Sequence, residues 1–163
     1  WKIAITHVMT NRGIPQLYYG TEILTDSPAY RDDGAVRSDF PGGWERDTIN
    51  AYNGHGLTAQ QLEAQAYIKK LLHWRQSATA IHNGQLKHFL PENGVYVYFR
   101  YNDDQTIMIV INKGETQKLI LSRFEEIIEN FNMAKNIMTG KKVELAKSLE
   151  LADRSVNVYE LIN

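Results

Sequence analysis

The sequence predicts an α/β segment followed by an all-β domain, and three observations carry that expectation. A helical pattern runs out at Gly13 and gives way to the strand-forming run Leu17-Tyr18-Tyr19. A second helical pattern opens at Thr58 with its own start signals. From Gly84 onward the apolar period changes from helical to two, and short runs alternate with turn residues. The expected boundary therefore falls between residues 83 and 84.

In residues 1–12, Trp1, Ala4, Ile5, Val8 and Met9 recur at helical spacing, with Lys2, Asn11 and Arg12 off that stripe. No capping residue precedes Trp1, so the sequence is expected to begin inside a helix of a longer polypeptide. Gly13 supplies left-handed backbone where helices end, and Pro15 lacks the N–H to continue one. Leu17–Tyr19 then reads as a short buried strand that turns at Gly20. Such a strand needs parallel neighbours, and none is encoded nearby. A missing segment, a second copy in a dimer, or local rearrangement must satisfy its backbone.

Residues 21–57 show little periodicity, and structureless connections beyond ~15 residues are usually functional or disordered. This one carries Tyr30, Phe40, Trp44 and Tyr52 among Arg31, Asp32, Asp33, Arg37, Asp39, Glu45, Arg46 and Asp47. Flat aromatic faces stack on the C–H faces of sugar rings, while carboxylate and guanidinium groups bond hydroxyls. Pro41-Gly42-Gly43 reads as a turn that presents Trp44. The plainer alternative is a loop folded on itself, its aromatics covering core and its charges paired.

The next helix begins with a capping box, Thr58 as N-cap and Gln61 three residues on, flanked by Leu57 and Leu62 at the positions of a hydrophobic staple. Ala64, Tyr67, Ile68, Leu71, Leu72, Trp74 and Ala78 share one face. Arg75 projects toward that face and reads as a structural residue that needs an ion-pair partner, because an unpaired buried charge is costly. Beyond Gly84, strands are expected at Gln85–Leu90, Val95–Arg100 and Thr106–Asn112, joined by turn chemistry at residues 91–94 and 102–104. Tyr96, Tyr98 and Arg100 alternate with Val95, Val97 and Phe99, as in a sheet with one buried and one wetter face. Residues 123–132 suggest a short helix, and the remainder reads as further strands ending at 156–161. Together these predict an antiparallel β-sandwich over residues 84–163.

The 163 residues are 43% hydrophobic and 23% charged with a net charge of −1, ordinary for a globular protein. No basic run favours nucleic acid, and no apolar stretch approaches the ~20 residues of a spanning helix, so neither nucleic acid nor a membrane is an expected partner. With no cysteine, thiolate chemistry is excluded. The five histidines are scattered without metal-ligand spacing, no serine sits in a nucleophile elbow, and the Gly pairs do not form a phosphate loop.

The run GIPQLYYGTEI (residues 13–23) resembles the eighth strand of the catalytic barrel in the α-amylase family of glycoside hydrolases. RSDFPGGW (residues 37–44) is similar to the neopullulanase and cyclomaltodextrinase group within it. LEAQAYIKKLLHWRQSATAIHNGQL (residues 62–86) resembles the last barrel helix and its exit into a C-terminal domain. The resemblance implies a division of the chain into the end of a (β/α)8 TIM barrel (residues 1–83: helix 7, strand 8, the long βα loop and helix 8) and a β-sandwich (residues 84–163). In such barrels the βα loops build the active-site face.

The resemblance further implies an intact enzyme that hydrolyses α-1,4-glucosidic bonds in pullulan, cyclodextrins or starch fragments with retention. Arg37, Asp39 and Trp44 would contact substrate by resemblance, Tyr30 and Phe40 on chemistry alone, while Glu22 would brace loop and strand. Retention needs two carboxyl groups about 5 Å apart. The family carries its three catalytic carboxylates on earlier strands whose motifs have no counterpart here, so this chain alone is expected to be inactive. No cofactor is expected from the chain itself, although the resemblance allows calcium in the intact enzyme. The expected partners are an α-glucan and the preceding part of the barrel, and the family suggests a periplasmic or extracellular location. Two alternatives stand beside this reading. One is a non-catalytic carbohydrate-binding or interaction module using Tyr96, Tyr98 and Tyr101. The other is a fragment of a related α-glucan transferase, isomerase or branching enzyme, since one barrel serves several chemistries.

Overall fold

A computed structural model describes residues 1–27, 30 and 32–163, so Arg31 of the loop lies outside the described residues. Packing divides the chain into two units, residues 1–14 with 70–163 and residues 15–69.

In the first unit, helix α1 (Lys2–Thr10) buries Ile5, Thr6, Met9 and Thr10. It closes at Asn11, whose N–H donates to the His7 carbonyl at 3.0 Å. That is two residues earlier than the sequence suggests, with Gly13 then turning at φ 102°. Helix α2 (Ala59–Ser77) follows the long loop, its residues 59–69 counted with the second unit and its remainder with the first, and the single-turn helix α3 (Thr79–Asn83) leads into the sheet. The capping box forms as expected: Thr58 N–H donates to Gln61 Oε1 at 3.0 Å, and Gln61 N–H to Thr58 Oγ1 at 3.3 Å.

Strands β1 (Gln85–His88), β2 (Val95–Tyr101), β3 (Thr106–Asn112), β8 (Ser155–Ile162), β5 (Met133–Asn136) and β6 (Lys142–Glu144) form one sheet in that order, and every pairing in it is antiparallel. Strands β4 (Gln117–Ile120) and β7 (Ser148–Leu151) form a second sheet of two. The expected helix at 123–132 is shorter: a 3-10 turn at Ser122–Phe124 runs into α4 (Glu125–Ile128).

The strand period puts successive side chains on opposite faces. Val95, Val97, Phe99, Met108 and Val110 join Leu121, Phe124, Leu149 and Leu151 in the core between the sheets. Tyr98, Ile107, Ile109 and Ile111 join Ala78, Ala80 and Ile81 on the other face, with Ile3 and Trp74 packed against them. The expectation of one wetter face is thus corrected: Tyr98 is 1% and Arg100 2% exposed. Helical segments cover that face, and alternation within a strand does not reveal a cover encoded elsewhere.

Arg100 is satisfied by main chain. Its guanidinium donates to the carbonyls of Gln85 (3.2 Å), Thr10 (3.2 Å), Ile81 (2.9 Å) and Gly84 (3.0 Å). Burial, followed by the nearby Arg12 charge, lowers its pKa. The last-turn carbonyls of α1 and α3 carry the partial negative charge of helix C-termini, which suits a guanidinium. The Tyr98 hydroxyl meets Thr10 Oγ1 at 2.5 Å. Arg75 also finds a carbonyl, its Nε donating to Met9 at 2.9 Å.

In the second unit, the strand expected at Leu17–Tyr19 is not present. Tyr18 is 57% and Tyr19 44% exposed, so this stretch is not buried either. A strand persists through its ladder, and among the described residues of 15–69 no strand forms to pair with it. The backbone instead enters a 3-10 turn at Thr21–Ile23, with Thr21 N–H donating to Tyr18 at 3.2 Å and Thr25 N–H to Gly20 at 2.9 Å.

Candidate functional site

The loop in residues 32–57 is built from turns held by short polar side chains. Asp32 Oδ1 accepts from the N–H groups of Gly34 (2.9 Å) and Ala35 (3.1 Å), which starts a 3-10 turn at Ala35–Arg37. Arg37 ends that turn with an exposed side chain. Tyr19 donates its hydroxyl to the Ser38 carbonyl at 3.0 Å, tying the stretch after Gly13 to this turn. The Tyr18 and Tyr19 rings lie 4.6 Å apart at 36°. A cleft of about 110 Å³ opens here, bounded by Tyr18, Tyr19, Thr25, Asp26, Val36 and Ser38. The Tyr19 phenol titrates above its ordinary value, chiefly because Tyr18 hydrogen-bonds to it, with desolvation and the Asp39 charge adding and Arg37 offsetting.

The Pro41-Gly42-Gly43 turn forms where expected, and two carboxylates shape it. Asp47 Oδ2 accepts from the N–H groups of Gly42 (2.7 Å) and Trp44 (3.1 Å). Asp39 Oδ2 accepts the Trp44 indole N–H at 3.1 Å. Trp44 itself is 66% exposed. At Gly42 φ is 102°, and a Cβ would lie 2.7 Å from Asn50 Cγ, so only glycine fits.

That contact locks a second turn beside the first. Asn50 Oδ1 accepts from Tyr52 N–H (3.0 Å) and Asn53 N–H (3.3 Å), and Ala51 N–H donates to the Pro41 carbonyl at 3.0 Å. Gln65 on α2 donates to the Ala51 carbonyl at 2.8 Å, which fixes the pair of turns to the helix. Tyr52, 75% exposed, meets the half-buried Phe40 edge-on at 5.3 Å.

The structure therefore brings Asp39 to Trp44, and Phe40 to Tyr52. Arg37 and Asp39 both bear on Tyr19. Tyr30 is 67% exposed, and Glu22 sits half-buried in the Thr21–Ile23 turn beside the fully buried Ile23. Arg75 belongs to the other unit. Sequence reasoning passed over Tyr19 as a strand residue, and it gave Asp47 no role. The spacing of Asp47, three residues after Trp44 and five after Gly42, was the available signal.

Chemically, the loop offers aromatic faces together with exposed guanidinium and hydroxyl groups. Asp32, Asp39 and Asp47 each accept hydrogen bonds from the loop itself. Among the described residues no group of three His, Asp or Glu side chains could hold a metal ion, and no helix is long and apolar enough to cross a membrane.

Residues 86–160 match the family model described as the cyclo-malto-dextrinase C-terminal domain. The chain is 28% identical over 119 residues to a cyclomaltodextrin glucanotransferase of Klebsiella oxytoca, covering 72% of this chain and 16% of that protein. It is 24% identical to an α-amylase of Niallia circulans, covering 89% of this chain and 25% of the relative. Its fold superposes on the α-amylase of Geobacillus thermoleovorans complexed with acarbose at a TM-score of 0.73 and 24% identity, over 99% of this chain and 33% of that one. The resemblance to the α-amylase family is borne out, and the chain spans a small part of the relatives it matches.

Proposed function

We propose that this chain, whose residues 86–160 match the cyclo-malto-dextrinase C-terminal domain family, is the C-terminal portion of a retaining α-glucan glycoside hydrolase. In this reading residues 1–83 end a (β/α)8 barrel and residues 84–163 form the sandwich that follows it. The three catalytic carboxylates reside in the preceding polypeptide. This portion contributes Arg37, Asp39, Trp44, Tyr30 and Phe40 to the substrate face, with Glu22 and Arg75 as structural supports. The substrates are α-1,4-linked glucans of the pullulan, cyclodextrin or starch type, in a periplasmic or extracellular setting, with any calcium held outside this chain.

The observation that carries the reading is Trp44, an indole left 66% exposed while its N–H and backbone are held by Asp39 and Asp47. A ring fixed and uncovered in this way suits stacking on a pyranose face, because little freedom is lost on binding. Calorimetric titration of the chain with maltoheptaose tests it. Trp44→Ala is expected to abolish or strongly weaken the heat of binding, and an unchanged isotherm would overturn the assignment. The chain alone is expected to release no maltose from pullulan or cyclodextrin, and maltose release by the purified chain would overturn the placement of the carboxylates.

A second reading, a related α-glucan transferase, is favoured by the glucanotransferase relative. Product analysis of the intact parent enzyme, linear maltose against cyclic or transferred products, separates the two. The separate binding-module reading loses its cue, since Tyr98 is 1% exposed and bonded to Thr10.

A further inference from the structure

We infer that Tyr52 is a second sugar-stacking face of this loop, and that Phe40 acts through it as a positioning residue. The inference rests on the α-glucan reading above and changes the role that reading gives to Phe40.

Three features single out Tyr52. It is 75% exposed, more than Trp44 at 66%, so it is open to a ligand. Its backbone is fixed, because Asn50 Oδ1 accepts from both Tyr52 and Asn53 N–H groups and Gln65 of α2 holds the preceding carbonyl at 2.8 Å. Its ring is steadied on one side by Phe40, edge-on at 5.3 Å and 62°. Phe40 is the more buried member of that pair, which suits a buttress better than a contact.

The Tyr52 turn is also coupled to the Trp44 turn. The Pro41 carbonyl accepts from Ala51 N–H at 3.0 Å, and Gly42 packs so closely on Asn50 that a side chain there would collide. Two exposed aromatic rings thus stand on interlocked turns, each preorganised by side chain to backbone hydrogen bonds. A single sugar unit needs one such face, whereas a chain of linked glucose units can use both. The ligand class is therefore an α-glucan oligomer, and Tyr52 is expected to discriminate long from short ones.

The test follows the ring protons of Tyr52 by NMR while the whole chain is titrated with maltoheptaose, and compares Tyr52→Ala, Tyr52→Phe, Phe40→Ala and Trp44→Ala by calorimetry. The Tyr52 resonances are expected to shift on titration in the unmutated chain, a result that needs no variant to fold. Tyr52→Ala is expected to weaken maltoheptaose binding about fivefold to tenfold, the size of one aromatic contact. Tyr52→Phe restores affinity, since the ring face and not the hydroxyl does the stacking. Phe40→Ala weakens binding about twofold to threefold and broadens the Tyr52 ring signals without ligand, which loss of a direct contact would not do. If Trp44→Ala weakens binding while Tyr52 neither shifts nor matters, the inference is overturned and the α-glucan reading stands. If the unmutated chain binds no maltoheptaose, both are overturned.

Discussion

The Asp39 carboxylate accepts the indole N–H of Trp44 at 3.1 Å, so two residues that the sequence puts forward as separate substrate contacts are one device. The carboxylate orients the ring, and the ring faces outward. Asp39→Ala is therefore expected to lower affinity for maltoheptaose about twofold to fivefold with little change in melting temperature, since an exposed hydrogen bond contributes ~1 kcal/mol or less to folding. Asp39→Asn, which keeps an acceptor, should lose less. Tryptophan fluorescence of Trp44, taken as the difference from a Trp44→Phe chain, gives an independent readout of ring order.

Arg100→Met is expected to destabilise the chain by about 3 kcal/mol, because four carbonyls lose their donor together in a buried site. Arg100→Lys should restore little of this, as an ammonium cannot reproduce a planar fork. Urea unfolding of the two variants side by side checks both statements. Equal stability of Arg100→Met and the parent would remove Arg100 from its bridging role.

Tyr98 makes stability fall at alkaline pH. Burial raises its pKa well above that of a free phenol, the Thr10 hydrogen bond only partly opposing this, and burial raises Tyr96 and Tyr159 too. A folded pKa above the unfolded one means the contribution is complete below about pH 10 and is lost as pH rises from there toward the folded value. Tyr98→Phe is expected to flatten the decline in melting temperature measured between pH 9 and pH 11, at the expense of ~1 kcal/mol from the Thr10 bond at neutral pH. An unchanged slope would show that other groups dominate the alkaline limb.

Thr58→Ala removes half of the capping box and should cost about 1 kcal/mol, with Gln61→Ala costing less. Amide exchange in the first turn of α2 is the local readout. Faster exchange confined to residues 59–62 fits a cap, whereas protection unchanged there would mean the helix start is held by packing alone.

Local grammar was legible wherever the stabilising partners lie close in sequence. The Thr58–Gln61 box, the 95–101 and 106–112 strands and the turn before Trp44 all formed as their residues predict. What failed depends on distant chain. Leu17–Tyr19 has strand-forming residues, yet a strand needs a ladder, and none forms within its unit. Tyr98 and Arg100 looked outward because their cover comes from residues 1–14 and 70–84, far from β2 in sequence. In the loop, residue chemistry pointed to Trp44, but the coupling of Asp39 to its indole and of Tyr52 to Phe40 is side-chain geometry that spacing does not encode.

The guanidinium at position 100 has a practical corollary for anyone cutting this protein into pieces. One of its hydrogen bonds reaches back to Thr10 and another to Ile81, so a clone starting at Gly84 would take away two of the four acceptors of this cation and leave only Gln85 and Gly84 to it. The sandwich is chemically stitched to the N-terminal helix, and a soluble truncation should carry that helix along or replace the arginine with an apolar residue of similar bulk.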